Sequence, residues 1–170
     1  MSDESALDPV VCRQCGRAVS AHNRHVRFRL PEPVLASADR EQTAGTWMSD
    51  DTPETSVMMQ VPDIGSFVRC LLPVKLTGGF TITFGVWLAV HPDDLQRAFR
   101  EWWEPRYANL RLDGWLANRL PTWDCLAGRA HASVKNADQT PYLTSSPEPL
   151  LASVLGDDWP HDEVLAALPE

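Results

Sequence analysis

The stretch from residue 67 to residue 103 constrains the fold most, because its hydrophobic period changes once, from two to about 3.6. Apolar residues alternate on both sides of Thr77-Gly78-Gly79, which predicts two strands joined in a β-hairpin. A helical pattern follows from Pro92. We therefore expect a long hairpin and, directly after it, a helix that packs on the hairpin.

The length of the loop decides which residues face each other in this hairpin. A two-residue loop at Gly78 and Gly79 would mix apolar and polar side chains on both faces. A three-residue loop places the apolar side chains on one face, so we predict that loop, with a glycine in the left-handed conformation. Arg69 and Trp87 then lie opposite each other on the second face. The predicted apolar pairs are Leu76 with Phe80, Val74 with Ile82, Leu72 with Phe84, and Cys70 with Val86. Pro73 cannot donate to a ladder, which predicts an edge or a bulge there.

The residues after the hairpin predict a helix over residues 92–104. Proline suits the first helical position, and the carboxylates of Asp93 and Asp94 suit the positive N-terminal end. Leu95 and Ala98 begin an apolar stripe at helical spacing, and Pro105 ends the helix. We expect the stripe to continue into the core through three aromatic residues, which are Phe99, Trp102 and Trp103.

The order of the predicted elements indicates an α+β domain. A strand over residues 56–61 precedes the central hairpin (67–90), strands over residues 129–134 and 142–145 follow the helix, and two short helices end the chain. The sheet is therefore predicted to be mainly antiparallel and built on that hairpin. A chain of 170 residues with 44% hydrophobic residues is typical of one domain with a substantial core.

The flanking segments are predicted from composition. Residues 1–9 are interpreted as a flexible acidic leader, and residues 10–170 as a single domain. Within that domain, residues 31–56 are rich in Pro, Ser, Thr and Asp and predict a long irregular connection. The start of the chain does not resemble a signal peptide, and its longest apolar run is too short to cross a membrane. The four cysteines are therefore expected to be free thiols in the cytoplasm.

The charge of the chain argues against nucleic acid as a partner. The formal net charge is −8, and residues 136–170 contain seven acidic residues and no basic one. This acidic region is most simply a solvated surface. It also fits a protein that neutralises a toxin, which we keep as an alternative function.

We expect a protein partner of unknown identity, no membrane partner, and a monomer or homodimer.

The short motif Cys12-Arg13-Gln14-Cys15-Gly16 carries the only recognisable chemistry. Two thiolates two residues apart, followed by glycine, form half of a tetrahedral zinc site. His22 and His25 are near enough in sequence to complete it, so residues 10–30 are a candidate zinc knuckle. Two other interpretations stay open: a metal-free remnant with ordinary thiols, and a redox-active dithiol.

The sequence contains no phosphate-binding glycine loop, no GxSxG elbow and no HExxH motif. Our first hypothesis is therefore a non-enzymatic binding or regulatory module, with or without a structural zinc. A large exposed apolar patch containing Trp47 or Trp103 would support that hypothesis.

The alternative is an enzyme whose pocket is formed by Arg69, Trp87 and His131. The simpler role for Arg69 is a cation–π contact with Trp87. Cys125 with His131 is a further, weaker nucleophile–base candidate.

Seven short segments occur in a characteristic order along the chain. They are Cys-x-x-Cys-Gly, Phe67-Val68-Arg69, Leu72-Pro73-Val74, Phe84-Gly85-Val86-Trp87, Gly114-x-Leu116, Leu120-Pro121 and Pro149-Leu150-Leu151. In this order they resemble the bacterial "domain of unknown function 2199" family. The resemblance covers most of residues 10–156 and is most specific in the FVR…LPV and FGVW segments. It supports the predicted fold and implies no activity.

Overall fold

The structure is a computed structural model that describes residues 23–37 and 44–168. Its strands are β1 (His25–Arg27), β2 (Trp47–Met48), β3 (Met58–Val61), β4 (Gly65–Leu76), β5 (Phe80–Val90), β6 (Arg111–Leu116), β7 (Arg129–Ser133), β8 (Tyr142–Ser145) and β9 (Asp158–Trp159). Its helices are α1 (Glu32–Leu35), α2 (Pro92–Glu101), α3 (Pro149–Gly156) and α4 (His161–Ala166), with a 3₁₀ helix at Pro105–Asn109.

Five of the strands close into a small barrel. Strands β4 to β8 follow one another as antiparallel neighbours, and β8 returns to lie parallel to β4. Five antiparallel strands in succession can close only through a parallel pair, because the first and the last run in the same direction. β1 adds to β5 and β9 adds to β4, both in parallel, while β3 and β2 extend the other half of β4. The predicted α+β class is confirmed, and the sheet is mixed and closed.

The pairing of β4 with β5 follows the register predicted from the three-residue loop. Leu76 pairs with Phe80, Cys70 with Val86, and Arg69 with Trp87. Gly78 and Gly79 both have positive φ, at 86° and 81°, as the turn requires.

Pro73 lies at a local gap along the outer edge of β4. Arg69 and Leu71 donate their N–H groups to outer neighbours, and Thr77 does the same further along the strand. Pro73 is separated from each of these donors by an even number of positions, so an N–H group at its position would face the same edge. It falls between the β8 pairing at Leu71 and the β9 pairing at Lys75. The strand is therefore locally an edge at Pro73, as the sequence predicts.

The hairpin is buried on both of its faces. Its inner face, which includes the fully buried Cys70, forms the main core of the barrel with α3, α4 and the apolar side of α2. Its outer face forms a smaller core in which Phe67 and Trp87 pack against Leu30 and Val34 from the α1 segment. The segment before β2 therefore contributes to a second core and is not only a connection.

Helix α2 is shorter than predicted, and two of the three aromatic residues of the predicted stripe are not in the core. It ends at Glu101, because the residue before Pro105 must be extended, and Glu104 has φ −106° and ψ 158°. Leu95 and Ala98 are buried, but Phe99 is 47% exposed and Trp103 is 69% exposed. The prediction that these two residues are core is therefore wrong.

Trp102 is the one aromatic residue of the stripe that packs against the main core, and its ring lies 4.8 Å from that of Tyr107. None of the helices in the described part of the chain is long and apolar enough to span a bilayer.

Candidate functional site

Arg69 is fully buried, and its guanidinium is satisfied entirely by backbone oxygens. Nε donates to the carbonyl of Ser56 at 3.0 Å, and Nη2 donates to that of Pro53 at 2.9 Å. Nη1 donates to Phe28 at 2.8 Å and to Gly85 at 3.3 Å. These four carbonyls belong to three separate segments of the chain. Arg69 therefore joins the segment around residue 28 and the 53–56 loop to the hairpin.

Trp87 covers the guanidinium of Arg69 on the second face of the hairpin. The guanidinium carbon lies 4.1 Å from the centre of the indole ring, so the predicted cation–π contact is confirmed. The indole N–H donates to the carbonyl of Arg29 at 3.2 Å, and the side chain is fully buried. Burial lowers the pKa of Arg69 to about 9, with a further contribution from the nearby charge of Arg27. The contacts of this pair are those of a structural element.

The structure does not bring His131 to Arg69 and Trp87. Arg69 and Trp87 are enclosed in the smaller core, whereas His131 lies on the exposed side of β7. The three residues therefore do not form the predicted enzyme pocket, because they lie in two separate parts of the molecule. The error arose because β7 pairs with β6 and β8 and not with the outer face of the hairpin.

An exposed strip of three aromatic side chains, Trp47, Phe99 and Trp103, lies on the surface instead. The rings of Trp47 and Phe99 are 5.5 Å apart at 86°, and those of Phe99 and Trp103 are 5.8 Å apart at 82°. The strip joins the edge strand β2 to the outer side of α2, and Trp47 is 37% exposed. Edge-to-face contact is a favoured arrangement of aromatic rings, so each ring of the strip is in favourable contact with the next.

A groove of about 320 Å³ runs beside this aromatic strip. It is lined by Trp47, Gln60, Leu95, Gln96, Phe99 and Arg100. Its charged residue is Arg100, which is exposed on α2. Arg100 forms no hydrogen bond or ion pair with any residue of 23–37 or 44–168. The groove thus combines an apolar wall, two amides and an available cation.

A second, larger cavity of about 600 Å³ lies against the outer side of β6, β7 and β8. His131 hydrogen-bonds through Nδ1 to the carboxylate of Asp113, which is its partner across β6 and β7. Ser145 is the partner of His131 on β8. Asp113 was not among the predicted site residues, although the sequence contains a signal for it. Residues 111–116 alternate as a strand does, and pairing them with residues 129–133 places Asp113 opposite His131.

Cys125 is buried and does not have the properties of a nucleophile. Burial, together with the charges of Asp124 and Glu148, raises the pKa of its thiol to about 11. A thiol is reactive as its thiolate, so this environment disfavours the weak pairing with His131 considered above. Cys70 and Cys125 are both free thiols.

The candidate zinc ligands Cys12, Cys15 and His22 lie outside the described residues. His25 is on β1, with its side chain exposed. Among residues 23–37 and 44–168 no group of three metal-ligating side chains occurs. Zinc binding therefore stays a prediction, as do the leader at residues 1–9 and the single-domain division.

Comparison with known proteins identifies a family for this chain. No curated protein and no solved structure matches it. Residues 11–151 match the model of an uncharacterised protein family conserved in bacteria, DUF2199. The match covers the five-stranded barrel, the aromatic strip and the Asp113–His131 pair. Because it extends over well more than half of the sequence, the chain belongs to the DUF2199 family.

Proposed function

We propose that this protein is a cytoplasmic, non-enzymatic binding module whose groove beside Trp47, Phe99 and Trp103 receives an acidic segment of a partner protein. The observation that carries this proposal is the aromatic strip beside Arg100, a cation that has no partner among the described residues. Soluble proteins rarely leave clustered aromatic side chains exposed without a binding role, because each costs free energy in water.

The apolar part of the groove indicates what kind of side chain enters it. Its walls are the rings of Trp47 and Phe99 and the side chain of Leu95, and its volume of about 320 Å³ accommodates one or two bulky side chains. Aromatic residues are enriched among the residues that contribute most to protein–protein affinity. The groove therefore fits a segment with a leucine or aromatic anchor.

The charge of the groove indicates the sign of the partner. Arg100 is the charged member of the lining, while Gln60 and Gln96 are neutral hydrogen-bonding groups. A carboxylate near the anchor would pair with the guanidinium of Arg100 in the bidentate manner that arginine favours. This local positive charge contrasts with the net charge of −8 for the whole chain. We infer that the bound segment carries Asp or Glu next to its apolar anchor.

A peptide array tests this proposal. Each member carries one Leu, Phe or Trp anchor, flanked by two Glu residues or by two Lys residues. We expect the Glu-flanked members to bind and the Lys-flanked members not to bind. Phe99→Ser should abolish that binding. The matched control is Trp115→Ser, because Trp115 is 46% exposed but lies outside the strip. Equal binding of both peptide classes, or equal loss in both variants, would contradict the proposal.

The predicted zinc at Cys12 and Cys15 is a separate proposal with its own test. Protein purified without a histidine tag should contain about one zinc per chain. A Cys12→Ser, Cys15→Ser double variant should contain none. A metal-free, fully folded wild-type protein would contradict this proposal and would leave the groove proposal unaffected.

A further inference from the structure

We propose that the cavity beside Asp113 and His131 is a second ligand site, which binds a small molecule carrying both an oxyanion and a hydroxyl group. The cavity holds about 600 Å³ and is lined by residues of three adjacent strands and of the segment before β6. Its polar groups are Arg111 and Asp113 on β6, His131 and Ser133 on β7, and Thr144 and Ser145 on β8.

The register of the barrel arranges these groups in two neighbouring rows. Asp113, His131 and Ser145 form one row across β6, β7 and β8. Arg111 and Ser133 form the next row across β6 and β7. Cross-strand neighbours have Cβ atoms about 5 Å apart, and successive rows on one face are separated by about 7 Å. One small molecule can therefore contact both rows at once.

Asp113 determines which nitrogen of His131 faces the ligand. A carboxylate only accepts hydrogen bonds, so Nδ1 of His131 must carry the proton that it donates to Asp113. When the ring is neutral, its other nitrogen, Nε2, is an acceptor. Both side chains are partly exposed on the cavity side of the sheet. Nε2 therefore fits a hydroxyl group that donates a hydrogen bond.

Arg111 supplies the complementary positive end of the cavity. Its guanidinium forms no hydrogen bond or ion pair within the described ranges 23–37 and 44–168. Its main chain is held in place, because Arg97 donates to the carbonyl of Arg111 at 2.7 Å and to Asp94 at 3.3 Å. A guanidinium with no partner among the described residues is suited to a carboxylate or phosphate group. The carboxylate of Asp113 keeps a second anion away from the His131 end.

Isotope-edited NMR with four defined probes tests this inference. Glycerate and glycerol 3-phosphate carry both groups, with a carboxylate and a phosphate respectively. Inorganic phosphate carries only the anion, and glycerol only the hydroxyls. We expect one of the first two probes to shift the amide signals of residues 111, 131, 133 and 145, with an affinity about tenfold or more above that of inorganic phosphate. Which of the two binds identifies the oxyanion.

Variants connect this binding to the named side chains. Arg111→Gln should weaken the affinity about tenfold or more, and Arg129→Gln should leave it unchanged. Arg129 is a suitable control, because it lies two residues from His131 on β7 but does not line the cavity. Asp113→Asn should change the nitrogen chemical shifts that report the tautomer of His131. It should also reduce the preference for hydroxylated probes.

Two outcomes of these experiments would contradict the inference. Folded protein that shows no shift with any probe at 50-fold excess would contradict the inference. Phosphate binding that persists in Arg111→Gln would identify an adventitious ion only. Circular dichroism of each variant establishes that it is folded, which is expected because these side chains lie on the exposed face of the sheet.

Discussion

The molecule combines tryptophan with arginine in two regions, and the two combinations have opposite properties. Trp87 covers Arg69 in a closed core, where the guanidinium is satisfied by four backbone carbonyls. Trp47 lies at the surface in the groove with Arg100, which has no partner in residues 23–37 and 44–168, and the exposed Trp103 extends the strip beyond Phe99. The first combination leaves nothing for a ligand to bind, whereas the second leaves both an apolar surface and a cation. Burial of the hydrogen-bonding groups therefore distinguishes a structural pair from a candidate binding site.

The largest effect on stability is expected from removing the buried arginine. Arg69→Met would leave the carbonyls of Phe28, Pro53 and Ser56 without the donor that Arg69 supplies in a buried environment. The carbonyl of Gly85 would keep the N–H of Phe28 as its donor. We expect the free energy of unfolding to fall by about 3 kcal/mol or more, measured by urea denaturation. Arg100→Met is the matched control and should change it by less than about 0.5 kcal/mol. Equal effects of the two substitutions would remove the distinction between the two regions.

A smaller loss of stability is expected from adding a methyl group at Gly114, which lies on β6. A Cβ atom there would overlap the carbonyl oxygen of Ala89 and the side chain of Leu88 across β5 and β6. Gly114→Ala should therefore lower the free energy of unfolding by about 1 to 3 kcal/mol, measured by thermal or urea unfolding. A Cβ added at Gly156 meets no atom within 4 Å. Gly156→Ala should consequently be neutral or slightly stabilising, and a costly Gly156→Ala would count against the packing described here.

The main core should also make the protein sensitive to alkaline pH, because it contains the buried Cys125. The thiol of Cys125 has its pKa raised to about 11 from a usual 9, so the folded chain keeps a proton that the unfolded chain loses. The contribution of Cys125 to the free energy of unfolding is thus fully present below pH 9 and is lost as the pH rises towards 11. The slope contributed by this thiol is at most about 1.4 kcal/mol per pH unit. Cys125→Ala should reduce the slope of unfolding free energy against pH, and an unchanged slope would contradict the assignment.

The smallest effect on stability is expected in the exposed strip. Trp103→Ser removes a side chain that is 69% exposed, so we expect the free energy of unfolding to change by less than about 0.5 kcal/mol. The same substitution should weaken the binding of a Glu-flanked peptide at least tenfold, measured by fluorescence anisotropy. If Trp103→Ser unfolded the protein instead, the strip would be part of the core.

Local parts of the fold were predictable because their signals are short-range. The register of the hairpin follows from one loop and one apolar face, and the contact of Arg69 with Trp87 follows from that register. The barrel closure was not predictable in this way, because it joins Leu71 to Tyr142, which are 71 residues apart. Nothing in the alternation of β8 indicates that its neighbour is β4.

The candidate sites were harder to predict for the same reason. Phe99 and Trp103 continue the apolar stripe of α2, so periodicity alone assigns them to the core. Their exposure depends on where α2 crosses the barrel and on where Pro105 ends the helix. The neighbour of Phe99 is Trp47, which lies on a two-residue strand that no periodic pattern reveals. Asp113 became recognisable only with β6 paired to β7.

The measurement that tests the central claim most directly is a charge swap across the groove. Affinities would be measured by isothermal titration for wild-type protein and Arg100→Glu, each with the same anchor peptide in its Glu-flanked and Lys-flanked forms. We predict that the wild type prefers the Glu-flanked peptide and that Arg100→Glu prefers the Lys-flanked one, since each pairing joins opposite charges. If both proteins had the same preference, or if neither bound either peptide, the groove beside Trp47, Phe99 and Trp103 would not be the binding surface proposed here.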